Sequence, residues 1–309
     1  MSSVERVFPR ASNQLRVWHK ALRVHQWMKN LLLFIPLLGA HSFTEPERWF
    51  ATLLAFFAFS LCASSVYIVN DLTDLESDRL HPRKRKRPFA SGDLPTVFGV
   101  CIAPCLLILS AVLAWNVGTA FMGWLAAYFV LTAAYSWGLK RVLLLDCIVL
   151  ALLYTLRIVA GAAAAGLQLS FWLLAFSVFL FLSLAFVKRY AELHVQQERG
   201  GGKAHGRAYH TDDVGLIQTM GVTAGYAAVL VLALYLNSDQ VLQLYGTPAF
   251  IWGAVPVMLF WVSWVWLQAH RGNMHDDPVV FALKDRGSLA AGAVFVAVMA
   301  MGTVDWPWL

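Results

Sequence analysis

Nine residues, Asn70-Asp71-Leu72-Thr73-Asp74-Leu75-Glu76-Ser77-Asp78, place four carboxylates directly after an apolar run that ends at Val69. At 100° per residue, Asp71, Asp74 and Asp78 fall within about 60° of one another on a helix, and Glu76 falls roughly opposite. Three carboxylates on one stripe repel each other unless a cation neutralises them. A helix C-terminus adds its own partial negative charge to that demand. Mg2+, held by one or two carboxylates together with substrate phosphates, suits such a stripe. Directly afterwards stands Arg79-Leu80-His81-Pro82-Arg83-Lys84-Arg85-Lys86-Arg87-Pro88. Carboxylates that hold a metal beside a basic loop meet the needs of a diphosphate, whose oxygens the metal bridges while cations take up the remaining charge. The plain alternative is a solvated acidic helix end stabilised by the cations after it, and a polybasic loop also suits anionic lipid headgroups. Asn70 and Asp71 stand at the edge of an apolar segment, where ionisable groups are costly and usually functional. That position favours the chemical reading.

The elements that must hold these residues are apolar helices. Of 309 residues, 59% are hydrophobic and 14% charged, against about a quarter charged in a soluble domain. Nine candidate spans of sufficient length and apolarity run over 25–42, 49–69, 97–115, 118–137, 142–164, 171–189, 214–236, 248–268 and 288–304. The first begins polar and contains Pro36, and Pro104 and Pro256 are candidate kinks in the third and eighth. The fold expected is therefore an all-α polytopic membrane protein, with residues 1–24 as a basic interfacial lead-in and 25–309 as one nine-helix domain. Trp18, Leu22 and Trp27 of the lead-in suit the bilayer interface, with Arg16, Lys20 and Arg23 reaching headgroups. Cys62, Cys101, Cys105 and Cys147 all lie in apolar stretches without the spacing of a zinc set.

Orientation follows from Lys and Arg. With the N-terminus in the cytoplasm, the N-terminal stretch and the loops near 70–96, 138–141, 188–213 and 269–287 carry 6, 6, 2, 5 and 3 of them, 22 of 24. That bias marks those segments as cytoplasmic and puts the C-terminus outside and the polar chemistry at the cytoplasmic face. Arg48 falls on the other side, and Arg157 lies inside a span, where burying it costs at least about 2.5–3.5 kcal/mol on insertion scales. It needs a partner, either a protein carboxylate or a substrate phosphate. Lys140 and Asp146 flank the cytoplasmic start of the same span, so Lys140 is in reach of a phosphate and Asp146 of Lys140 or of a sugar hydroxyl. Gly200-Gly201-Gly202 reads as a flexible loop, and the small residues of 161–166 suit close helix packing.

The pattern Asn-Asp-x-x-Asp-x-x-x-Asp followed by a basic loop resembles the first aspartate-rich motif of the UbiA superfamily of intramembrane prenyltransferases. Closer still is the resemblance to the decaprenyl-phosphate phosphoribosyltransferases. It is carried by Arg23-Val24-His25-Gln26-Trp27-Met28-Lys29-Asn30, by 70–88, by Tyr135-Ser136-Trp137-Gly138-Leu139-Lys140 with Asp146, by Leu156-Arg157-Ile158-Val159-Ala160-Gly161 and by Lys188-Arg189-Tyr190-Ala191-Glu192-Leu193. Val24 departs from the Pro common in that group. The stretch 274–286 matches a looser set of bacterial relatives. Aromatic prenyltransferases of the superfamily carry a second aspartate-rich motif after the sixth helix, where this chain has Lys188-Arg189-Tyr190-Ala191-Glu192. A Lys-Arg pair suits a phosphate held directly by cations. Without the resemblance, Lys188 and Glu192 read as an i,i+4 surface pair.

The resemblance implies a Mg2+-dependent phosphoribosyl transfer from phosphoribosyl pyrophosphate to a polyprenyl phosphate, in the bacterial inner membrane, toward lipid-linked arabinofuranose. Asp71, Asp74 and Asp78 would serve as catalytic and metal-binding residues. Asn70, Arg79, Lys84, Arg87, Lys29, Asn30, Lys140, Arg157, Lys188, Arg189 and Glu192 would bind substrate. The partners implied are the two substrates, membrane lipids and further copies of the chain, as in the trimers of the family, with no nucleic acid. Two alternatives stay open: a prenyl-diphosphate-dependent aromatic prenyltransferase, and a non-enzymatic lipid transporter or binder.

Overall fold

The computed structural model describes residues 14–42, 44–81, 84–198, 200, 208–274 and 277–304. Every element of length among them is helical. Among the described residues, eight helices are long and apolar enough to cross a membrane: Pro46–Thr73, Thr96–Val117, Thr119–Trp137, Leu145–Ala165, Phe171–Glu198, Thr211–Leu236, Pro248–His270 and Arg286–Thr303. They coincide with the second to ninth expected spans. The first expected span is built otherwise. A 3-10 segment, Val24–Phe34, leads into the short helix Ile35–Gly39, with Pro36 in its first turn. The 3-10 geometry has a longer rise per residue and poorer hydrogen bonds than an α-helix, so this stretch depends on its neighbour for support. Pro104 lies inside the Thr96–Val117 helix. Pro256 sits in the first turn of the α-helical part Ala254–His270, where proline's missing N–H removes no helical bond. The glycine run noted at 200–202 is described only at Gly200; Gly201, Gly202, His275 and Asp276 lie outside the described residues.

The chain divides into two compact units, residues 1–136 with 160–167, and residues 137–159 with 168–309. In the first, the helix Pro46–Thr73 buries a face of small residues, among them Ala55, Ala58, Ser60, Ala63, Ser64 and Ser65. Small side chains let backbones approach, and their hydroxyls bond across the interface where apolar surroundings offer no water. Ser65 Oγ donates to the Ala103 carbonyl and Ser110 Oγ to the Ala58 carbonyl, each at 2.7 Å. The same face carries the 3-10 segment: Trp27 Nε1 donates to Ser64 Oγ at 3.0 Å, and Asn30 Nδ2 to Ser60 Oγ at 3.0 Å. Gly161 closes on that segment from the other side, where a Cβ would stand 2.1 Å from the Leu33 carbonyl oxygen.

The second unit is organised around the pairing of Phe171–Glu198 with Val214–Leu236. Gly221 and Gly225, four residues apart on the latter, admit large neighbours. A Cβ on Gly221 would meet the Trp266 ring at 2.2 Å, and one on Gly225 would meet Val262 at 2.6 Å. Ser183 ties the contact together, donating to the Gly221 carbonyl at 2.7 Å and accepting from Trp266 Nε1 at 3.1 Å. The segment after His270 is folded as well. Asp277 caps the helix Pro278–Ala282, and Asp285 caps Arg286–Thr303. Large apolar side chains such as Ile108, Val130, Leu230 and Val296 remain exposed along the long helices, as surfaces that face lipid do.

Candidate functional site

In the first unit, the acidic segment is where one helix ends and another starts. The helix Pro46–Thr73 stops because polar side chains offer its last turn other partners: the Thr73 hydroxyl donates to the Asn70 carbonyl at 3.1 Å, and Asp74 leaves helical geometry at φ −92°, ψ 9°. A new helix, Leu75–Leu80, then carries Asp78 and Arg79. The three aspartates therefore do not lie on one continuous helical stripe as the 100° rotation predicts, and the break at Asp74 is the reason. Asp71 and Asp78 still converge. Both are buried, at 2% and 0% exposure, and Arg87 bridges them, with Nη1 at 3.2 Å from Asp71 Oδ1 and 2.5 Å from Asp78 Oδ2. Burying a carboxylate is affordable only with such a partner. Lys84 Nζ stands 3.8 Å from Asp78 Oδ1.

A second guanidinium completes the cluster. Arg23 Nη2 lies 2.6 Å from Asp71 Oδ1, and its Cζ sits 4.5 Å over the Tyr67 ring. Its backbone is left-handed, φ 51° and ψ 45°, a conformation that costs a non-glycine residue about 1–2 kcal/mol. Sequence reasoning sent Arg23 to the lipid headgroups because it ends an amphipathic stretch, and no signal in that stretch shows a 48-residue reach back to Asp71. Asn70 donates to Ser136 Oγ at 3.0 Å. Asp74 is half-buried and has no ion-pair partner among the described residues. Arg79 is exposed, Lys29 is half-buried, and Asn30 is buried on Ser60.

These donors were tested against a divalent cation. No three His, Cys, Asp or Glu side chains converge on one metal position among the described residues. The chemistry nonetheless fits Mg2+, which needs only one or two protein carboxylates beside phosphate and water. Asp78 Oδ1 is buried without a hydrogen-bond donor, and Asp74 is uncommitted among the described residues. Both offer hard oxygen lone pairs.

The second unit holds two polar clusters of opposite character. In one, Arg189, wholly buried, is clasped between Asp146, 2.6 Å from Nη2, and Glu192. Tyr209 OH donates to Asp146 Oδ1 at 2.6 Å and accepts from the Leu144 N–H at 3.0 Å. Burial, reinforced by the hydrogen bond to Asp146, pushes the Tyr209 phenol well above its usual range, so it stays a neutral donor. Asp146 pairs with Arg189, a partner the sequence did not suggest. Lys140 is half-buried on the turn Leu139–Arg141.

In the other cluster, Asp277 reaches from the folded segment after His270 to the Leu145–Ala165 helix. Tyr154 OH lies 2.8 and 3.0 Å from its two oxygens, and Lys188 Nζ 3.5 Å from Oδ2. Arg157, 5% exposed, donates to the Leu153 carbonyl and lies 5.5 Å over the Tyr154 ring. Sequence reasoning missed Asp277 and Tyr154. The Asp-Pro step at 277–278 was the available signal for the first, as a helix start; a tyrosine in an apolar span carries none.

The profile described as "UbiA prenyltransferase family" matches residues 31–291. Among curated relatives, the protein y4nM of Sinorhizobium fredii is 38% identical over 96% of this chain, which spans 58% of that protein's length. Nodulation protein NoeC of Azorhizobium caulinodans is 38% identical over 92% of this chain and 91% of its own. The decaprenyl-phosphate phosphoribosyltransferase of Mycolicibacterium smegmatis is 33% identical over 86% of each chain. Among solved structures, a UbiA homolog from Archaeoglobus fulgidus bound to GPP and Mg2+ superposes with a TM-score of 0.66 at 14% identity, covering 92% of this chain and 99% of that one; the likeness is one of fold.

Proposed function

The chain belongs to the UbiA prenyltransferase family, a multi-pass membrane transferase, and from that premise we propose that it transfers 5-phosphoribose from phosphoribosyl pyrophosphate to a polyprenyl phosphate. The observation that carries this reading is the difference between the two units. One offers buried aspartates bridged by Arg87. The other, where an aromatic prenyltransferase would carry a second aspartate pair, offers Lys188 and Arg189. One acidic cluster suits one diphosphate, and a cation at the second place suits a lipid monophosphate. Similarity to phosphoribosyltransferases over most of the chain supports the same choice.

In this reading Asp71, Asp74 and Asp78 hold Mg2+, which when bound neutralises charge on the departing diphosphate. Arg87 and Lys84 turn from their carboxylates to diphosphate oxygens, Arg79 adds a third cation, and Asn70 and Asn30 fix the helices that carry them. Lys29 and Lys140 serve phosphates at the cytoplasmic face. Lys188 binds the lipid phosphate, with Arg157 below it. Arg189, clasped by Asp146 and Glu192, keeps the Lys188 turn in place. The lipid phosphate oxygen attacks C1 of the ribose, the bond from C1 to the diphosphate oxygen breaks, and pyrophosphate leaves with the electron pair. The nucleophile is already an anion, so no general base is required. Orientation and a matched field supply the acceleration. The domain over 25–309 lies in the bacterial inner membrane with the chemistry facing the cytoplasm. The product is a precursor of lipid-linked arabinofuranose for a wall polymer or a secreted glycolipid.

The test supplies purified protein with labelled phosphoribosyl pyrophosphate, polyprenyl phosphate and Mg2+. Lipid-soluble label and equimolar pyrophosphate are expected. Their absence, or turnover of a prenyl diphosphate with an aromatic acceptor instead, would refute the proposal.

A further inference from the structure

Arg23, paired with Asp71 in the aspartate cluster, is left without a task by the reaction above. Three features of its setting are informative. Its guanidinium and that of Arg87 meet the same atom, Asp71 Oδ1, at 2.6 and 3.2 Å. Two like charges converge there on one oxygen, and only Arg87 has a second carboxylate to balance it, Asp78 at 2.5 Å. Arg23 is also stacked on Tyr67, 4.5 Å from Cζ to the ring centre, so the face of the guanidinium is held while its N–H edge stays available for another acceptor. Finally, the backbone at Arg23 is left-handed, the hinge between the helix Gln14–Ala21 and the 3-10 segment; such conformations persist where the surroundings over-determine them. Beside this pair, Asp78 Oδ1 is buried with no hydrogen-bond donor, an acceptor suited to a cation.

We propose that Arg23 is a diphosphate-binding residue held in reserve on Asp71. Arg23 yields Asp71 when a divalent cation enters the aspartate cluster, and its planar fork of donors, steadied by Tyr67, then bonds the oxygens of the diphosphate. The ligand named here rests on the phosphoribosyl reading. Arg23 thus competes with the metal for Asp71 and cooperates with the diphosphate. Removing it moves the two affinities in opposite directions, which no purely structural role does.

The experiment titrates the full-length protein in nanodiscs with MgCl2 alone, and with inorganic pyrophosphate at saturating MgCl2, following thermal stability and calorimetric heat. For Arg23→Gln, Mg2+ alone is expected to bind more tightly than to wild type, and pyrophosphate to bind about tenfold or more weakly, the effect of losing a hydrogen bond to a charged group. If Arg23→Gln does not fold, Arg23→Lys is expected to shift both in the same directions by less. Parallel weakening of both ligands, or no change in either, overturns the role of Arg23 and leaves the phosphoribosyl reading standing. Wild-type protein that binds no pyrophosphate in Mg2+ overturns both.

Discussion

Single residues divide here into those that hold the fold and those reserved for chemistry, and substitution separates them. Asp74 makes no ion pair among the described residues, so Asp74→Ala is expected to reduce turnover by at least about a hundredfold, the scale of a lost charge-stabilising group, with a melting temperature near wild type. Arg189 is wholly buried between two carboxylates. Arg189→Ala breaks the buried ion pair with Asp146 and is expected to cost about 3–5 kcal/mol, read as loss of folded protein on heating. A wild-type melting curve for Arg189→Ala would contradict this. Asp285 gives a pH dependence. Burial pushes its carboxyl up, but the N–H groups of Ser288 and Gly287 and the indole of Trp264 outweigh that and hold it below the usual carboxylate range. Its folded value being below its unfolded one, the cap contributes fully above about pH 4 and is lost as pH falls through the folded value. Asp285→Ala is expected to cost about 1 kcal/mol near neutral pH and to lose that deficit in acid, in scans that compare the two proteins between pH 7 and pH 3. The aspartates were legible in the sequence as types and spacing. Their partner Arg23 was not, nor was the contact between Tyr154 and Asp277, because each joins residues far apart in the chain.

At the scale of elements, hydropathy and length found eight helices among the described residues, with ends within about four residues except for the sixth expected span, which continues past 189 to Glu198, because a span must satisfy its backbone internally and be apolar throughout. Residues 25–42 depart from the one continuous α-helix that the rule assumes. Their apolarity is sufficient, but the left-handed Arg23 and Pro36 bracket a 3-10 segment that leans on Ser60 and Ser64. The acidic stripe erred for a related reason: helical periodicity assumes that the helix continues, and Thr73 and Asp74 end it. Close packing was legible at 161–166 from residue size alone, while Gly221 and Gly225 were not singled out, since their role depends on Trp266 and Val262. Gly221→Ala sets a methyl against the Trp266 ring and is expected to destabilise by about 1–3 kcal/mol. Thermal melting together with Trp fluorescence checks it, and unchanged values would mean that the ring has room to withdraw.

For the whole molecule, the distribution of Lys and Arg is the governing feature, and it orients the chain by the side on which those charges remain. Reporter fusions after Lys86 and after Lys284 are expected to report a cytoplasmic location, and fusions near Arg48 and Thr247 the opposite side. A reversed pattern would remove the cytoplasmic site from the proposal. Charge counting alone carries this expectation, whereas the division into two compact units has no marker in composition. The guanidinium of Arg87, shared between Asp71 and Asp78, has a consequence of a different kind. Each acid also has a second cation beside it, Asp71 the Arg23 guanidinium at 2.6 Å and Asp78 the Lys84 ammonium at 3.8 Å, and Arg87 keeps one carboxylate when either acid is lost. Across descent, then, the burden at positions 71, 78 and 87 is shared with 23 and 84, and a lineage that alters Arg87 alone keeps a cation beside each acid.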